Sequence, residues 1–115
     1  MIHTLFFVEL TVSDWKRAVE WYSTVLGLQV ILMREADRFA LLQAGTGKLA
    51  LKVGSPNPGT VLLTFEVDDL LDYVQRLRSL DVPVEEEIKT SAEGYRRVLL
   101  RDPDGYRLCL FEWYS

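Results

Sequence analysis

The chain has 115 residues, of which 49% are hydrophobic, 26% charged and 11% aromatic; these are ordinary globular proportions and exclude disordered, collagen-like and low-complexity classes. Its net charge of −4 argues against a nucleic-acid partner or an anionic membrane surface, since both demand a cationic footprint. A single cysteine, Cys109, excludes an intramolecular disulfide and a Cys-pair zinc site.

No apolar run approaches the roughly 18 residues of a membrane helix. The start Met1-Ile2-His3-Thr4-Leu5 carries no basic leader, so a cytoplasmic location is expected. Leu5 to Val12 is apolar and β-rich, which predicts a strand. Ser13-Asp14 then offers helix N-cap side chains, and Trp15, Ala18, Val19, Tyr22, Val25 and Leu26 recur at helical spacing. Gly27 is suited to stop that helix because it takes positive φ without steric cost. Leu28 to Arg34, Arg38 to Gln43 and Leu49 to Val53 read as short strands, the last two separated by a Gly45-Thr46-Gly47 turn. A Pro- and Gly-rich stretch over residues 55–59 is the linker between a first module, 1–54, and a second, 60–115.

Beyond the linker the pattern begins again. Val61 to Val67 reads as a strand, Asp68-Asp69 as a cap, and Leu70, Leu71, Val74, Leu77 and Leu80 as an apolar helix stripe. Val82 to Lys89, Tyr95 to Arg101 and Arg107 to Trp113 read as three more strands. Phe7 through Asp14 align with Leu62 through Asp69 at a constant offset of 55 residues. Each half is therefore β-α-β-β-β, about 50 residues, too small to bury its own sheet alone.

The duplicated βαβββ module resembles the vicinal oxygen chelate superfamily of glyoxalases, bleomycin-resistance proteins and extradiol dioxygenases. Two stretches carry the resemblance: Val12-Ser13-Asp14 through Trp21-Tyr22 to Val25-Leu26-Gly27-Leu28, and the hairpin Leu100-Arg101-Asp102-Pro103-Asp104-Gly105-Tyr106-Arg107-Leu108. In that hairpin Pro103 and Gly105 set a tight turn that Asp102 can tie by accepting backbone N–H bonds. The resemblance implies an α+β fold of two tandem modules whose curved mixed sheets form a cup, with the helices on the outer face, and a homodimer with modules paired within or between chains.

Members of this superfamily usually hold a divalent metal through four strand positions, two per module. The resemblance places those positions on Phe7, Ala50, Leu62 and Cys109. Phe, Ala and Leu ligate no metal, and one cysteine cannot supply the three or so protein ligands that a catalytic metal needs. No metal or other cofactor is expected.

Strand parity puts Val8, Leu10 and Val12 on the helix-covered face, and Phe7, Glu9 and Thr11 on the opposite one. By the same parity Leu62, Thr64 and Glu66 share a face, as do Cys109, Phe111 and Trp113. In the superfamily the face opposite the helix lines the cup, so the resemblance implies a ligand-binding set of Phe7, Glu9, Ala50, Leu62, Thr64, Cys109, Phe111 and Trp113: an apolar, aromatic and slightly acidic lining, or else large side chains that simply fill the metal's space. Glu9 is either a carboxylate in an apolar cup, able to act as general base, or a strand-end residue reaching solvent. Cys109 in Leu-Cys-Leu reads as an inert packer, His3 as an exposed terminal residue, and Glu85-Glu86-Glu87 as a solvated strand edge. Of Arg96 and Arg97, one faces the cup and the other solvent. Gly45-Thr46-Gly47-Lys48 lacks the spacing of a phosphate loop.

These residues favour metal-independent binding of a small aromatic or cationic molecule, in the manner of bleomycin-resistance-like proteins. The alternative is a glyoxalase- or dioxygenase-like lyase or isomerase, with Glu9 as general base or an atypical metal site drawing on Glu9, His3 and Glu66 or Glu112. A degenerate module serving only as a dimerising partner is a third reading. The fold by itself decides among none of them.

Overall fold

The computed structural model describes residues 1–59 and 61–114, with Glu86 described in its backbone only. It divides into two compact units, Met1–Asn57 and Pro58–Ser115, and the boundary lies inside the 55–59 stretch.

The first unit runs β1 (Val8–Val12), α1 (Trp15–Thr24), β2 (Gln29–Arg34), β3 (Phe39–Ala44) and β4 (Gly47–Val53). Its sheet has the order β1-β4-β3-β2, with β1 parallel to β4 and the other pairs antiparallel. Leu10 and Val12 stand opposite Leu51 and Val53, and α1 covers the sheet with Trp15, Ala18, Val19 and Tyr22, all buried. Full burial of a side chain as large as Leu42 or Leu51 contributes roughly 1.5–3 kcal/mol. Strand β1 begins at Val8, three residues later than the sequence predicts, because the ladder with β4 starts at the Val8–Leu49 pair. Leu5 and Phe6 precede it and are exposed, as is His3.

The second unit repeats this plan as β5 (Leu62–Glu66), α2 (Leu70–Ser79), β6 (Val84–Thr90), β7 (Tyr95–Arg101) and β8 (Arg107–Trp113), in the order β5-β8-β7-β6. Trp15, Val19 and Tyr22 of α1 correspond at the 55-residue offset to Leu70, Val74 and Leu77 of α2, and all six are buried. The caps repeat as well. Asp14 accepts the Arg17 N–H and Asp69 the Asp72 N–H, each at 3.1 Å. The helix exits differ: Gly27 takes positive φ (70°) after α1, whereas Asp81 (57°) does so after α2. The fold is α+β, two βαβββ modules in tandem.

Within the Asp-Pro-Asp-Gly hairpin, Asp102 is buried, and its Oδ1 accepts the N–H groups of Asp104 and Tyr106, both at 2.9 Å. On β6, Glu85 pairs with Arg101 and Glu87 with Arg78, while the Glu86 side chain lies outside the described residues. Gly45-Thr46 is a two-residue hairpin turn joining β3 to β4. No helix among the described residues is long and apolar enough to cross a membrane.

Candidate functional site

The second module carries an open cavity of about 290 Å³ on one face of its sheet. Among the described residues seven line it: Leu62 and Thr64 from β5, Cys109, Phe111 and Trp113 from β8, and Tyr95 and Arg97 from β7. Register explains their convergence. Thr64 lies opposite Cys109 across the parallel pair, while Arg97 and Tyr95 lie opposite Phe111 and Trp113 across the antiparallel one. Paired residues project to the same side of a sheet, and Leu63, Phe65, Leu108 and Leu110 project to the other.

Three rings form the aromatic wall. Phe111 and Trp113 have centroids 5.3 Å apart at 88°, Tyr95 and Trp113 5.9 Å apart at 86°, and Tyr95 and Phe111 6.2 Å apart at 81°. All are edge-to-face, the arrangement that the ring quadrupole prefers. Trp113 is 61% exposed, so much of its surface remains available to a ligand.

The thiol of Cys109 is buried in the cavity floor. Burial pushes its pKa up, against the opposing pull of the Arg97 guanidinium and of hydrogen bonds with Arg97 and Thr64. The neutral thiol is thus favoured over the nucleophilic thiolate.

Of the expected ligand-binding residues, Leu62, Thr64, Cys109, Phe111 and Trp113 share this cavity. Phe7, Glu9 and Ala50 belong to the first module. Phe7 is half-buried just before β1, with its ring edge-on to Phe39 at 6.3 Å. Glu9 is exposed and sits opposite the buried Ala50 across β1 and β4. Tyr95 was not among the expected residues, although its parity with Arg97 on β7 was a usable signal. Arg97 is the arginine that faces the cavity; Arg96 pairs with Glu112 at 2.8 Å and lies over the Tyr114 ring.

The positions that the family resemblance assigns to metal ligands hold Phe7, Ala50, Leu62 and Cys109, and three of these carry no donor atom. No group of three or more His, Cys, Asp or Glu side chains able to hold a metal occurs among the described residues. This donor set does not fit the family's divalent metal.

The chain has the same fold as several solved proteins. A lactoylglutathione lyase from Agrobacterium tumefaciens matches with a TM-score of 0.81 at 22% identity, over 97% of this chain and 95% of that one. TioX from a Micromonospora species matches with a TM-score of 0.78 at 23% identity, over 97% and 98%. A superfamily member from Sphaerobacter thermophilus matches with a TM-score of 0.82 at 20% identity, over 96% and 98%. At such identities the likeness is one of fold. The sequence itself matches the family model over residues 3–110, and the chain therefore belongs to the glyoxalase/bleomycin resistance protein/dioxygenase superfamily.

Proposed function

We propose that this protein binds a small aromatic molecule in the second-module cavity, without a metal and without chemistry on the ligand. The observation that carries this reading is the edge-to-face trio of Tyr95, Phe111 and Trp113 around an open cavity. Binding sites for small molecules are mostly apolar concavities with a few polar groups that fix orientation. Here those groups are Thr64, Cys109 and Arg97. The cavity lies near the lower end of the roughly 300–1,000 Å³ range of such sites, which suits one or two rings better than a bulky drug.

The enzymatic alternative draws on Glu9, which is exposed on β1 of the first module and is not among the residues that line the cavity. Glu112, another residue of that alternative, is engaged by Arg96. The experiment that separates the binding reading from a metal-dependent enzyme is metal analysis of untagged protein after incubation with Fe(II), Ni, Co, Mn and Zn and passage through a desalting column. The binding reading expects far less than one metal per chain, and about one retained metal per chain overturns it.

We also propose a homodimer. Ile31, Leu32 and Met33 on the edge strand β2 are 45%, 37% and 46% exposed, and an apolar, uncovered edge strand favours association. Sedimentation velocity at micromolar concentration checks it, and a purely monomeric boundary contradicts it.

A further inference from the structure

We infer that the ligand is an aromatic anion of one or two rings whose carboxylate, or an equivalent planar anion, pairs with the Arg97 guanidinium. The inference rests on the binding reading above and deepens it.

The second module contains several arginines whose charge is met by a carboxylate. Arg78 pairs with Glu87 at 3.0 Å, Arg96 with Glu112 at 2.8 Å and Arg101 with Glu85 at 3.2 Å. Arg97 lies next to Arg96 in sequence but projects to the other face, among Leu62, Phe111 and Trp113. Among the described residues no carboxylate pairs with it. The Cys109 thiol, which lines the same cavity, is neutral and offsets none of the Arg97 charge. Among the described residues the cavity lining contains no carboxylate; Glu66, opposite Phe111, shares the sheet face but is not part of the lining.

A half-buried guanidinium against apolar walls is costly unless an anion or water meets it. An aromatic anion satisfies both features of the cavity at once. Its ring replaces water against the faces and edges of Phe111 and Trp113, and its charge meets the guanidinium fork, which matches a carboxylate bidentately. An aromatic cation of the same shape would gain the ring contacts and meet repulsion at Arg97, which reverses the charge preference expected from an acidic chain.

The test is calorimetric titration at pH 7 of 2-naphthoate, 2-naphthamide and 2-naphthylmethylammonium into the wild type, Arg97→Gln and Arg97→Lys. The wild type is expected to bind naphthoate about tenfold or more tightly than the amide, as a charge-assisted pair gives. Arg97→Gln should bring the two close to equal with the amide affinity unchanged, and Arg97→Lys should keep part of the preference. If Arg97→Gln fails to fold, the wild-type ranking and the Arg97→Lys ratio decide. Tightest binding of the ammonium ligand, or an unchanged ratio in the Arg97 variants, overturns the anion inference while the binding reading stands. Absence of binding by all three naphthyl compounds overturns both.

Discussion

Phe111 and Trp113 stand edge to face on one side of β8, with ring centroids 5.3 Å apart, yet Trp113 is 61% exposed. A large ring held by its neighbours and left open to water contributes little to the core and much to a recognition surface. Trp113→Ala should therefore cost only about 1 kcal/mol of stability, the order of one aromatic pair. Affinity for a naphthyl ligand should fall about tenfold or more. Urea unfolding and calorimetry on the same variant check this, and a large loss of stability with unchanged affinity would assign the ring to the core.

Asp102 ties the hairpin between β7 and β8, whose strands supply five of the seven cavity residues. Its Oδ1 accepts two N–H bonds at 2.9 Å, and the residue is buried. Asp102→Ala leaves those donors without that acceptor and should destabilise by about 2–4 kcal/mol, whereas Asp102→Asn keeps a carbonyl oxygen there and should lose about half as much. Chemical denaturation of both variants provides the comparison.

Asp81 occupies the left-handed region at φ 57° where α2 ends, a role that Gly27 fills after α1. A non-glycine residue there carries a steric cost, reduced but not abolished for Asp. Asp81→Gly should stabilise by about 0.5–1 kcal/mol, while Gly27→Ala should destabilise by a similar amount. Thermal melts read both signs.

Cys109 links stability to alkaline pH. Burial raises its folded-state pKa, with Arg97 and Thr64 opposing, so the folded protein holds the thiol proton more tightly than the unfolded chain does. The resulting stabilisation is fully present below the unfolded thiol value of about 8.5 and is lost as pH rises through the raised folded value. Relative to Cys109→Ala, the wild type should lose stability progressively above that range, as denaturation at stepped pH would record. A parallel pH dependence in the two proteins would contradict the assignment.

The repeat was legible because its signals are local. The 55-residue offset, the Asp14 and Asp69 caps, the Gly27 stop and the Asp102 turn each act within a few residues. Strand parity also grouped Leu62, Thr64 and Glu66 on one face of their strand and Cys109, Phe111 and Trp113 on one face of theirs, and the register of β5 against β8 joins the two groups. Non-local pairing was harder to read. The start of β1 depends on where β4 offers a partner, and the sequence of Leu5 to Phe7 does not encode that. The choice between Arg96 and Arg97 depends on the register of β7 against β8, in which Arg97 meets Phe111. The charge of the lining depends on the same register: among the described residues the second-module cavity is lined by the Arg97 cation and by no carboxylate.

The most direct test of metal-free binding at this face is amide and indole chemical-shift mapping of chelator-treated protein titrated with 2-naphthoate. Metal-free binding at this face predicts saturable shifts concentrated at Tyr95, Arg97, Cys109, Phe111 and the Trp113 indole, unchanged when divalent metal is added. Shifts that appear only with metal, or that centre on Glu9 in the first module, would contradict it.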